Sequence, residues 1–114
     1  MKLPNAERAF VEEAKITGYL LSLDNVDGRP KAVFFLRFGF SPLAWEAMAS
    51  ALVRHGNEYE IERLARRPHG MQYTVVGRLH CPDGRLPFVR TVWMVRNGED
   101  VPRLVTAYPI REVA

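Results

Sequence analysis

The spacing of apolar residues changes midway along the chain. In the first half it follows a helical period. Ile16, Tyr19, Leu20 and Leu23 fall at i, i+3, i+4 and i+7, which predicts a helix over residues 12–22. Gly18 lies inside it and weakens it by up to about 1 kcal/mol relative to alanine. Residues 24–30, Asp-Asn-Val-Asp-Gly-Arg-Pro, are turn formers at nearly every position. The run 31–40 is apolar and aromatic; its β-branched and aromatic content favours a strand, although a short buried helix shows the same continuous apolarity. Ser41-Pro42 supplies an N-cap oxygen and a proline preset for the first helical turn. Trp45, Met48, Ala49 and Leu52 then repeat the helical spacing, and Gly56 reads as a stop, giving a helix over 42–55.

The second half alternates. Tyr59 and Ile61 interleave with Glu58, Glu60 and Glu62, the pattern of a half-buried strand with a charged outer face. Pro68-His69-Gly70, Pro82-Asp83-Gly84 and Asn97-Gly98 are turn signals that separate further strands at 71–80, 86–95 and 103–110. Strands joined by short turns form an antiparallel meander. The expected architecture is α+β: N-terminal helices packed on one face of a C-terminal four-stranded antiparallel meander. No repeat, low-complexity tract or linker divides residues 1–114, so a single domain is expected.

Composition narrows the class without naming a reaction. The chain is 47% hydrophobic and 25% charged, ordinary for a globular domain and wrong for disorder. No apolar run nears the roughly 18 residues of a membrane span. The first residues lack the apolar core of an export signal, and Cys81 is a lone cysteine, so a cytoplasmic protein without a disulfide is expected. The net charge is +3, and Lys2, Lys15 and Lys31 are the lysines in a basic set made otherwise of arginine. A GC-rich coding sequence or a hot habitat gives the same bias, so position matters more than the total. Residues 54–69 mix arginines with Glu58, Glu60 and Glu62, whereas the balance turns basic after Gly77. That permits a modest preference for polyanions.

Histidine, cysteine and carboxylate spacing gives no metal-binding pattern, no cofactor motif is present, and there is no serine-hydrolase elbow. His55 closes the predicted helix, where the macrodipole favours its charged form, and it is the candidate general base. His69 falls in a turn, and His80 and Cys81, being adjacent, cannot share a metal in an extended chain. A stronger constellation lies on the last two strands. Arg90 shares a face with Val92 and Met94, and Thr106 and Tyr108 share one with Leu104. An arginine, a hydroxyl and a phenol on neighbouring strands have the chemistry to clamp a phosphate and stack a base. An arginine on a solvated sheet face, beside residues present for β-propensity, produces the same pattern.

The opening Leu3-Pro4-Asn5-Ala6-Glu7-Arg8-Ala9, the segment Val89-Arg90-Thr91-Val92-Trp93-Met94-Val95, and Gly98-Glu99-Asp100-Val101-Pro102-Arg103-Leu104 with Thr106-Ala107-Tyr108 resemble a bacterial domain family of unknown function. The resemblance spans essentially the whole chain and is most specific in the tail. Where the family shows Lys-Ala-Arg, this chain has Lys31-Ala32-Val33, so any role of that arginine is absent. Such families look like the barnase–EndoU–colicin–RelE group of small toxin ribonucleases, in which helices precede an antiparallel sheet carrying the active site. The resemblance implies helix for residues 31–38. It also implies a metal-independent endoribonuclease toxin of a two-gene system, with RNA as substrate and a small antitoxin-like neighbour as partner. Lys31 and Arg90 would then stabilise phosphoryl charge, Thr106 would position the phosphate, and Tyr108 would stack or donate a proton, with His55 as base. The competing expectation is a non-catalytic module whose basic sheet face docks a small acidic partner protein.

Overall fold

A computed structural model describes residues 1–111. A 3₁₀ turn at Ala6–Arg8 leads to a short α1, Glu13–Lys15, which runs directly into a π-helical turn, Ile16–Leu20. Two longer helices follow, α2 at Arg29–Arg37 and α3 at Trp45–Glu58, the latter entered through a 3₁₀ turn at Pro42–Ala44. The strands β1 (Ile61–Arg67), β2 (Gly70–Arg78), β3 (Phe88–Arg96) and β4 (Arg103–Pro109) form one antiparallel sheet in that order. This is the α+β arrangement expected, with the helices on one face of the meander.

Several expected elements shift for identifiable reasons. The first helix is not regular: Leu21 N–H bonds the Ile16 carbonyl five residues back at 2.8 Å, the π register. The wider turn buries Leu21 with Ile16 and Leu20 and ends the element, so Leu23, expected on the apolar stripe, is half exposed. The ambiguous run after Pro30 is helical as far as Arg37, with Phe38 as its C-cap. Ser41 Oγ accepts from Leu43 N–H at 3.2 Å, the expected cap. Gly56 does not stop α3, which continues to Glu58. A side chain there would sit 2.8 Å from the Trp93 indole, so the glycine lets helix and sheet approach closely. Tyr59 precedes the first strand and does not belong to it. Strands β2 and β3 separate earlier than expected, and the turn centred on Pro82-Asp83-Gly84 is the tip of a longer loop.

The core lies between helices and sheet. Trp93, Val89, Val75 and Ala107 point from the strands into a layer formed by Ile16, Leu20, Phe35, Met48 and Leu52. Trp93 is fully buried, and truncating it to alanine should cost about 3–5 kcal/mol. At the outer edge of β4, Phe10 adds a short parallel bridge: its N–H bonds the Pro102 carbonyl, and its carbonyl accepts from Leu104 N–H, both at 3.1 Å. Among the described residues no helix is long and apolar enough to cross a membrane.

Candidate functional site

Among the described residues no helix packs on the far face of the sheet, and the polar constellation gathers there. The register pairs Arg90 with Tyr108, and Val92 with both Thr74 and Thr106. Strict alternation would have put Thr106 and Tyr108 on the same side as Leu104. A bulge at Val105 breaks it: Trp93 pairs with Leu104 and Val92 with Thr106, so Leu104 enters the core while Thr106 and Tyr108 stay on the open face. A second irregularity, between Ile61 and Arg63, leaves Glu62 as the extra residue of β1. Glu62 reaches Arg90, with carboxylate and guanidinium 3.2 Å apart.

Arg90 is the hub of this face. Its Nη1 donates to the Tyr108 hydroxyl at 3.4 Å, and its guanidinium lies 5.7 Å from the centre of the Tyr108 ring. The Tyr108 hydroxyl, and after it the Glu62 carboxylate, raise the Arg90 pKa above its ordinary value, which holds the positive charge. Arg90 Nε is buried without a hydrogen-bond partner among the described residues. A concavity of about 210 Å³ opens here, with Arg63, Gln72 and Thr74 along its wall.

Outside the lining of this concavity, Thr106 stands beside Val92 and connects the open face to the helices. Its Oγ1 shares a hydrogen bond of 3.0 Å with the Tyr19 hydroxyl. The Tyr19 ring in turn carries two ammonium groups, Lys15 at 5.5 Å and Lys31 at 5.3 Å from its centre. Gly28 permits this, because a Cβ there would lie 2.1 Å from the Tyr19 carbonyl oxygen. Its absence lets α2 begin against the π turn and hold Lys31 over the ring. Arg90, Thr106 and Tyr108 are thus brought to one face, and Lys31 joins them through Tyr19. The sequence reading missed Tyr19, Lys15 and Glu62. Lys15 and Tyr19 stand at i and i+4, a usable signal, whereas the bulge that frees Glu62 left no trace in the alternation.

His55 is not part of this site. It lies on the helix side of the sheet and is 1% exposed. Its Nε2 faces two carbonyls, Gly77 at 3.1 Å and Val89 at 2.9 Å, and must donate to them. Its Nδ1 lies 3.0 Å from Thr91 Oγ1, which already accepts from Trp93 Nε1–H at 2.8 Å. The chain of donors Trp93, Thr91, His55 closes with a neutral imidazole. Desolvation lowers the His55 pKa, outweighing the two carbonyl bonds that raise it. The expected cationic helix end and the expected general base are both corrected by this burial. His69 is exposed in its turn, and His80 lies 3.4 Å from Glu58. Among the described residues no three His, Cys, Asp or Glu side chains cluster as metal ligands would.

Comparison with known proteins adds a family and a fold. Residues 2–111 match the family described as domain of unknown function, DUF6883. The chain belongs to that family. No curated protein matches this DUF6883 chain. Among solved structures, it is similar to a chain of a contact-dependent growth inhibition toxin–immunity protein complex from Klebsiella pneumoniae 342, with a TM-score of 0.72. That match covers 94% of this DUF6883 chain and 97% of the other at 13% identity, a likeness of fold.

Proposed function

We propose that this DUF6883 domain is the toxin of a toxin–immunity or toxin–antitoxin pair and acts as a metal-independent endoribonuclease in the cytoplasm. The observation that carries the reading is the gathering of Arg90, Tyr108, Thr106 and Glu62 on the uncovered sheet face, with Lys31 and Lys15 at its margin. The fold shared with a chain of a toxin–immunity complex supports it. In the reaction, the ribose 2′-oxygen forms a bond to the adjacent phosphorus while the bond to the 5′-oxygen breaks, leaving a 2′,3′-cyclic phosphate. With His55 buried elsewhere, Glu62 accepts the 2′-hydroxyl proton. Arg90 stabilises the charge that develops on the phosphoryl oxygens, and Tyr108 donates a proton to the departing 5′-oxygen. Thr106 positions the phosphate, and Lys31 adds positive charge beside it.

The test is RNA cleavage by purified protein in excess chelator. Cyclic phosphate ends should form, and Arg90→Ala should lower the rate by at least about 100-fold. Equal rates for Arg90→Ala and wild type would reject the assignment. A second reading, a non-catalytic module that docks an acidic protein, is favoured by the Arg90–Glu62 pairing, which already neutralises the central arginine. Partner binding that depends on Tyr108, without RNA cleavage or growth inhibition, would establish it.

A further inference from the structure

The open face continues beyond Arg90 along β3 to Met94 and Arg96, where two hairpin turns meet. Asn97 ties them together: its N–H bonds the His69 carbonyl at 2.9 Å, and its Nδ2 bonds the Pro68 carbonyl at 2.8 Å. Beside this junction lies a second cleft of about 670 Å³, large enough for a nucleotide-sized group. Its rim carries Lys15, His69, Arg96 and Arg103 together with Glu12, and Met94 and Val105 contribute apolar surface. Arg103 is immobilised by Glu12 at 3.2 Å and Glu99 at 3.5 Å and lies 5.0 Å from the Phe10 ring centre. Like Arg90, it keeps a buried Nε without a partner among the described residues. Cations on the rim, apolar atoms within and an exposed imidazole beside them suit a phosphodiester with an unpaired base. The bonded turns hold the cleft in shape before any ligand arrives.

We propose that this cleft is a second RNA subsite, which grips single-stranded RNA at a distance from the scissile phosphate and makes the protein select long strands over short ones. It rests on the ribonuclease reading only in where the strand is cut. Six residues of extended strand separate Arg90 from Arg96, about 20 Å, or roughly six stacked nucleotides at about 3.4 Å each. A trinucleotide held at Arg90 therefore stops short of the second cleft, whereas a 12-mer fills both.

The experiment measures binding of fluorescent 2′-O-methyl 3-mer and 12-mer RNA, which cannot be cleaved, as a function of salt. Wild type should bind the 12-mer more tightly than the 3-mer. His69→Ala/Arg96→Ala should weaken 12-mer binding by about tenfold and lower the salt slope by about 1. Both side chains are exposed, and the Asn97–His69 bond uses the main chain, so the variant should keep its fold. Arg54→Ala removes a positive charge from α3, on the helical side, and should leave the 12-mer affinity unchanged. Unchanged 12-mer affinity in the double variant, or an equal loss in Arg54→Ala, overturns the proposal. So does a wild-type protein that binds an acidic peptide but no RNA. Cleavage of the 12-mer by wild type together with unchanged affinity in the double variant would reject this subsite and leave the ribonuclease reading standing. Arg96-dependent binding without cleavage of the natural 12-mer would do the reverse.

Discussion

The Tyr19 and Thr106 hydroxyls meet at 3.0 Å, joining the π turn to the open face of the sheet. Tyr19→Phe removes that bond and keeps the ring under the two lysines. The unfolding free energy should fall by about 1 kcal/mol. RNA cleavage should fall further than stability accounts for, because Thr106 loses its orientation. Urea unfolding and a cleavage assay on the same sample separate the two effects, and unchanged activity would remove Thr106 from the site.

Glu62→Gln keeps the shape of the Arg90 contact and deletes the proposed proton acceptor. The turnover number should drop by about 10²–10⁴-fold. RNA binding should hold or tighten, since a negative charge leaves the face. A variant that turns over like wild type would show that Glu62 serves only to anchor Arg90.

His55 sets a pH dependence of stability with a definite sign. Burial lowers its pKa below the ordinary 6.5. Above about pH 6.5 neither the folded nor the unfolded chain holds that proton. Below it the unfolded chain takes up a proton that the folded one refuses, so stability falls as pH drops. Urea midpoints at pH 7.5 and 5.5 should show the fall, and His55→Gln should flatten it. An equally steep fall in the variant would assign the effect to other groups.

The capped helix α3, the four strands and the open-face arginine were legible in the sequence because each rests on local spacing or a local turn, whereas the continuous apolarity of residues 31–40 did not distinguish α2 from a strand. What was hidden depends on tertiary contact. The bulge at Val105 reverses the side on which Leu104 lies, and nothing in the alternation of 104, 106 and 108 announces an extra residue. Gly56 carries the signature of a helix end, yet its place is decided by the Trp93 indole pressed against it. His55 looked like a charged terminus because its burial is imposed by Gly77 and Val89, which lie more than twenty residues away.

Cys81 offers a simple check on the packing of the loop between β2 and β3. Its thiol is buried, and desolvation, aided by Asp83, pushes its pKa up to about 11. At pH 7.5 the folded protein should react with a thiol reagent far more slowly than the urea-unfolded chain. Rapid labelling of the folded protein would mean that this loop opens readily.

The short bridge made by Phe10 bears on how copies of the chain behave together. A sheet with two bare edges invites another strand to add itself, the first step toward fibrils. Here one margin is closed in part by the chain's own N-terminal segment. The other, β1, carries Arg63, Arg66 and Arg67 in close succession. Two copies meeting along β1 would bring like charges together at the spacing of paired strands, about 5 Å. The arginines on this rim thus oppose the edge-to-edge pairing that an uncharged strand would invite.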